Sequence, residues 1–310
     1  MRKKRRDAVS AARIVSVAVP VVMITAGVLY AACIHMGYAR GRMEYRNLEE
    51  QYTTSLPGTN GSDEKDTAHA ERENESQETD GFGEGTMKTP QEGNEPEMDS
   101  KHVWGPLIAK LPRDAPERKQ IDWEALLERN EDVTGWITVP AVSISYPVMQ
   151  ADDNDFYLHR DIDRNYLFAG SIFMDADCSA SLLRYNTIIY GHNMRDGSMF
   201  AKLRNFQDKE TWNACRYFWI QTPEADALYE IFSIHTAAAD SDTFTLQFAD
   251  YEELELWRNR MISLSDPQTG VGLKEDDRVV TLSTCTESSQ IRMTVQGKLI
   301  WKRDLEEMIN

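Results

Sequence analysis

Cysteine is scarce in this chain. There are four in 310 residues: Cys33, Cys178, Cys215 and Cys285. Cys33 ends an apolar run, so an odd three remain, and an odd count is not a disulfide framework. A Cys178–Cys215 pair and three separate thiols both stay open. Histidine is also sparse, with six scattered residues. No Cys-x-x-Cys or His-Glu-x-x-His spacing occurs, so no metal site and no cofactor are expected. Asp152, Asp153, Asp155, Asp175 and Asp177 lack a calcium-loop pattern and read as solvated loops. No Gly-rich phosphate loop is present. Positive charge is in deficit: 34 Lys and Arg face 51 Asp and Glu, a formal net charge of −17. That balance argues against nucleic acid as a partner. Aromatics are nearly missing between Gln51 and Ser100, where only Tyr52 and Phe82 occur. The same stretch carries thirteen acidic and three basic residues, a net −10. Such a segment buries too little apolar surface to offset its ordering entropy.

What is present begins with location. "MRKKRR" puts five basic residues before Asp7, and Ile14 to Ile34 then runs 21 residues without a charge. At ~1.5 Å per residue that length crosses a bilayer core of ~30 Å. The dense basic cluster predicts a cytoplasmic N-terminus, with Arg40, Arg42 and Arg46 weakening the asymmetry. A cleaved signal peptide is one alternative, disfavoured by the length of the run and the basic residues close behind it; a lipoprotein cysteine at Cys33 in "LYAAC" is another, disfavoured by Tyr30. The expected organisation is a basic tail 1–13, a transmembrane helix 14–34, a disordered acidic linker 35–103 and a folded domain 104–310. A flexible stretch of some fifty residues reaches on the order of 40 Å, enough to lift a domain off a membrane.

Within the domain, "IDWEALLERN" predicts a short helix capped by Asp122, with Trp123, Leu126 and Leu127 on one face. Eight strand-like runs follow: "GWITVP", "ISYPVMQ", "AGSIFMD", "NTIIYGH", "CRYFWIQT", "ALYEIFSIH", "RVVTLSTC" and "IRMTVQGKLIW". "GSMFAKLRNF" predicts one inserted helix. "DYEELELWRNRMISL" predicts a longer one, with Asp250 and Glu253 as a capping pair and Leu254, Trp257, Met261 and Leu264 on its apolar face. Many short strands with helices in their connections favour a mostly β fold, a closed or nearly closed barrel.

Cys285 stands at the end of "RVVTLSTC". A strand end holds a nucleophile rigidly, and cysteine attacks as the thiolate, which a nearby cation favours. An inert buried thiol is the bland alternative. Among the histidines, His159 in "YLHRD" and His235 at a strand end read as surface residues. His192 in "IIYGHNM" follows an apolar strand at a Gly-containing turn, where an imidazole suits general acid work. Arg292 opens the last strand. If that strand pairs with the one ending at Cys285, the two residues meet, and the guanidinium stabilises a thiolate or an oxyanion. The polar "TESSQI" between them reads as a short turn or loop.

"TLSTC" followed by Arg292, with "YGHN" upstream, resembles the sortases, cysteine transpeptidases of the outer membrane face in Gram-positive bacteria. "GWITVP", "ISYPVMQ", "DNDFYLHRD" and the helix near 250–264 are similar to the class B branch. The resemblance implies an eight-stranded barrel and a His192–Cys285–Arg292 active site. It implies cleavage of a C-terminal sorting signal on surface proteins after its threonine, with substrate contacts at Asn154, Leu158 and Ser283. A thioacyl enzyme then passes the chain to an amine of a cell-wall precursor, typically lipid II. The short "TESSQI" loop departs from some class B members and leaves both an Asn-Pro-x-Thr-type and a Pro-x-Thr-Gly-type signal open. A pilin-polymerising enzyme with a lysine acceptor, a hydrolytic cysteine peptidase and an inert tethered binding module are the alternatives.

Overall fold

The computed structural model describes residues 2–55, 110–179, 181–182, 184–285 and 290–305, with backbone alone for 2–21 and 285. Helix α1 (Arg2–Tyr52) leads into strand β1 (Thr53–Ser55). After the undescribed stretch come β2 (Lys119–Ile121), α2 (Trp123–Arg129), β3 (Val133–Val139), β4 (Ile144–Met149), β5 (Ile172–Met174) and β6 (Asn186–Gly191). The chain continues through α3 (Lys209–Ala214), β7 (Tyr217–Gln221), β8 (Ala225–Ala238), α4 (Tyr251–Leu264), β9 (Val279–Cys285) and β10 (Ile291–Asp304).

Strands β3 to β10 are the eight expected runs, and they close into one barrel in the order β10-β8-β7-β3-β4-β5-β6-β9. Each strand sends a large side chain into one core. Ile137, Val148, Ile172, Ile189, Ile220, Tyr229, Leu282 and Val295 are all at most 1% exposed. Most neighbours are antiparallel, but β4–β5 and β6–β9 are parallel. The parallel pairs need long connections: residues 150–171 between β4 and β5, and a segment holding α3, β7, β8 and α4 between β6 and β9.

The helices follow their local signals. Asp122 caps α2 by accepting from Ala125 N at 3.1 Å. Asp250 accepts from Glu253 N at 2.9 Å, and Glu253 Oε2 accepts from Ala249 N at 2.7 Å, a reciprocal capping box. Helix α4 lays Leu254, Trp257 and Met261 beside Phe232 of β8 on the outer barrel face. Leu264, expected on that apolar face, is instead 39% exposed and outside the cluster that holds Leu254, Trp257 and Met261. The helix expected at "GSMFAKLRNF" is a 3-10 helix, Ala201–Gln207.

The expected linker 35–103 differs most. Its first part is not linker: α1 continues through residue 52 and β1 follows. Tyr45, Leu48 and Tyr52 are buried in the barrel's own core cluster. Three apolar side chains at roughly helical spacing outweigh the acidic composition that begins beyond them. The rest of that call, residues 56–103, lies outside the described residues, as does the start of the expected domain at 104–109.

Gly191 ends β6 because nothing larger fits. A Cβ there would collide with Ile172 Cδ1 and stand 2.7 Å from Phe200 Cγ. Gly191→Ala is therefore expected to cost about 1–3 kcal/mol by overpacking. Thermal unfolding should report a melting point lower by about 2–4 °C per kcal/mol for a domain of this size.

Candidate active site

Sheet register brings the three expected catalytic positions to one end of the barrel. In the β9–β10 ladder, Arg292 stands opposite Cys285. In the parallel β6–β9 pair, Gly191 stands opposite Thr284. The next residue on β6's path is His192, and the next on β9 is Cys285. Paired residues in an antiparallel ladder lie about 4.5–5.5 Å apart at Cα, so position 285 sits between the two strands that deliver His192 and Arg292. The connecting residues 286–289 of the expected turn lie outside the described residues.

A cavity of about 270 Å³ opens at this end. His192, Arg292, Ser283 and Tyr190 line one side, and Asn154, Asp155 and Leu158 another. All three expected substrate-contact residues therefore reach its wall. Ser283 is 1% exposed, and its Oγ has no hydrogen-bond partner among the described residues. A buried orphan hydroxyl is costly unless a ligand group completes it. Asn154 is held from both ends of its amide. Its Nδ2 donates to Asp175 Oδ2 at 3.0 Å and its Oδ1 accepts from Ala176 N at 2.8 Å.

His192 is fixed by one bond. Its Nε2 meets the Leu158 carbonyl at 2.7 Å. A carbonyl only accepts, so Nε2 keeps its proton in both charge states and Nδ1 is the nitrogen that titrates. Burial lowers the His192 pKa, opposed by the Leu158 bond and aided by the nearby His159 and Arg292. The neutral imidazole therefore dominates at pH 7, and the acid form is a minority state.

Two neighbours escaped the sequence reading. His159, taken for an ordinary surface residue, is exposed but stacks on His192, with ring centroids 5.2 Å apart and planes 20° from parallel. Asp175, expected in a solvated loop, is 5% exposed. It accepts from Tyr190 Oη at 2.9 Å as well as from Asn154, so it ties two cavity walls together. Burial and that carboxylate push the Tyr190 phenol up. No spacing rule marks either contact, because each joins residues well apart in the sequence.

The other candidates fall away on geometry. His235 is not a surface residue: it is 4% exposed within β8 and its ring meets Ser233 Oγ at 3.0 Å and Thr243 Oγ1 at 3.2 Å. Burial lowers its pKa to about 4. Cys178 and Cys215 are free thiols rather than a pair. Burial pushes the Cys178 thiol up to about 12 and raises Cys215 as well, so neither is a thiolate at neutral pH. Among the described residues, no cluster of three metal-ligating side chains occurs.

Because His159 and burial both depress His192, His159→Ala removes a repulsive partner and admits water. Both changes raise the His192 pKa. The His192 titration midpoint, followed by imidazole NMR, is expected below pH 6.5 in the parent and at higher pH in the variant. An unmoved midpoint would show that the stack does not act on His192.

Comparisons with known proteins agree on one family. A model described as the sortase domain matches residues 137–300. Sortase B of Listeria monocytogenes is 37% identical over 180 residues, 57% of this chain and 73% of that protein. A crystal structure of Bacillus anthracis sortase B in complex with AAEK1 superposes with a TM-score of 0.54 at 34% identity, over 58% of this chain and 84% of that one. The Staphylococcus aureus sortase B–substrate complex gives a TM-score of 0.55 at 28% identity, over 58% and 84%.

Proposed function

The chain belongs to the sortase family of cysteine transpeptidases, and on that premise we propose that it cleaves a C-terminal sorting signal after threonine and joins the new carboxyl end to an amine of the cell wall. What supports this reading is that strand register sets position 285 opposite Arg292 and beside the strand end that leads to His192, while His192 and Arg292 line one cavity. Cys285 is the nucleophile, His192 the general acid and Arg292 the electrostatic partner. The Cys285 thiolate adds to the carbonyl carbon after threonine. The Arg292 guanidinium stabilises the negative charge that collects on the carbonyl oxygen. The C–N bond then breaks, and the amine leaves with the proton from His192 Nδ1. A thioester remains. An acceptor amine attacks it and gives a proton to His192 Nδ1, the C–S bond breaks, and the thiolate and the imidazolium are regenerated with a new amide formed.

Asn154, Leu158 and Ser283 contact the signal peptide, and the uncompleted Ser283 Oγ supports that role. Lipid II, or another peptidoglycan amine, is the acceptor. Surface proteins bearing the signal are the clients. The enzyme is held in the cell membrane by residues 14–34, with the N-terminus in the cytoplasm and the barrel outside. In support, α1 is long and apolar enough to cross a bilayer, and none of its apolar window is buried.

The test is product analysis. The full chain in detergent is mixed with peptides of the Asn-Pro-x-Thr and Pro-x-Thr-Gly types, with and without a saturating small amine. Cleavage after threonine, an amide product that depends on the amine, and a trapped adduct on Cys285 are expected. Hydrolysis alone at saturating amine would sink transfer.

A further inference from the structure

Composition alone reads the acidic segment as a tether between membrane and barrel. The register of β1 and β2 contradicts that topology. These two short strands pair antiparallel, with Ser55 opposite Lys119 and Thr53 opposite Ile121. The chain therefore leaves β1 and returns directly across from it. A segment whose two ends are held side by side bears no distance between the bodies it joins.

The helix itself spans that distance. From Ile34, where the apolar run ends, α1 continues for 18 residues to Tyr52, about 27 Å at 1.5 Å per residue. Along this extension it docks on the barrel. Tyr45 and Leu48 are 3% and 1% exposed. Tyr45 Oη donates to the Gly170 carbonyl and meets Ser171 Oγ at 3.0 Å, and its ring stands edge-on to Tyr146 at 5.2 Å. Three ion pairs flank these contacts: Arg42 with Asp196, Glu44 with Arg129 at 3.0 Å, and Glu49 with Lys119. Asp122 N then donates to the Tyr52 carbonyl at 3.0 Å. Apolar burial and the Arg42 pair thus join the helix to the barrel, and the other ion pairs and the backbone ladder join it to β2 and α2, which lead into the barrel.

We infer that the barrel is held at the membrane by docking on the rigid extension of α1, through Tyr45, Leu48 and the Glu49–Lys119 pair, and not by the acidic segment. The catalytic cavity then stands at a fixed height and orientation. The docked helix also braces the site. Gly170, the acceptor for Tyr45, packs against the Leu158 carbonyl that holds His192. The inference rests on the proposed membrane anchoring, and the experiment separates the two.

A site-specific protease sequence is inserted after Gly81 in the full chain, and membrane vesicles carrying the protein are cut and sedimented. A zero-length carbodiimide then tests the Glu49–Lys119 pair. The fragment beginning after the cut should stay in the pellet without loss. Cross-linking should join it to the N-terminal fragment at Glu49 and Lys119, read by peptide mass spectrometry. Release into the supernatant, or retention without that cross-link, overturns the inference. Uncut protein that washes off the vesicles would instead refute membrane anchoring, and the cross-link still decides the docking.

Discussion

Cys285→Ala should abolish turnover, with kcat/KM for a signal peptide falling by on the order of 10⁴-fold or more, as removal of a catalytic nucleophile does. The position is the last residue of β9, opposite Arg292 and one step past the Gly191–Thr284 pair. Neither Cys178 nor Cys215 is able to substitute. Cys178 is buried with its pKa pushed up to about 12, and the Cys215 pKa is raised by burial too. Cys215→Ala should therefore leave both turnover and the covalent adduct intact. Mass spectrometry of the peptide-treated enzyme checks the point directly: the adduct should be present in Cys215→Ala and absent in Cys285→Ala. Residual turnover of Cys285→Ala above about one part in a hundred would remove the cysteine from the chemistry.

The second large effect belongs to Arg292. Loss of one well-placed oxyanion donor costs about 10²–10³-fold in kcat, and Arg292→Ala should fall in that range or below it. Arg292→Lys should not recover the loss, because a point charge on a flexible stem does not copy a planar fork of donors. The two variants part company in their pH dependence. Arg292 helps to depress the His192 pKa through like-charge repulsion. Alanine removes that repulsion, so the His192 titration midpoint, followed by imidazole NMR, should move to higher pH. Lysine keeps the charge, so the midpoint should stay near its parental position while kcat remains low. A lysine variant with parental kcat would reduce Arg292 to a source of charge alone.

Much of the barrel was legible because its strands are short apolar runs rich in Val, Ile, Tyr and Phe, each bounded by turn residues. The burial of nearly every residue of β8 from Ala225 to His235 agrees with a strand covered on both faces. The capping residues Asp122 and Asp250 were equally plain, since a cap is a local hydrogen bond. His235 shows the opposite case. A histidine in an apolar strand gives no local sign of whether its ring meets water or Ser233 and Thr243. Only the barrel wall decides that.

The amino-acid order by itself determined which segments become strands, which run is apolar enough to cross a bilayer, and that a cysteine and an arginine stand near the facing ends of the last two strands. These properties depend on periodicity, propensity and covalent distance, which act over a few residues. Tertiary structure alone decided that β6 runs parallel to β9, that His159 stacks on His192, that Asp175 joins Asn154 to Tyr190, and that Tyr45 and Leu48 seat the long helix on the barrel. Each of those facts joins residues far apart in order. Their energy comes from burial and hydrogen bonding that exist only once the sheet has closed, so no local pattern announces them.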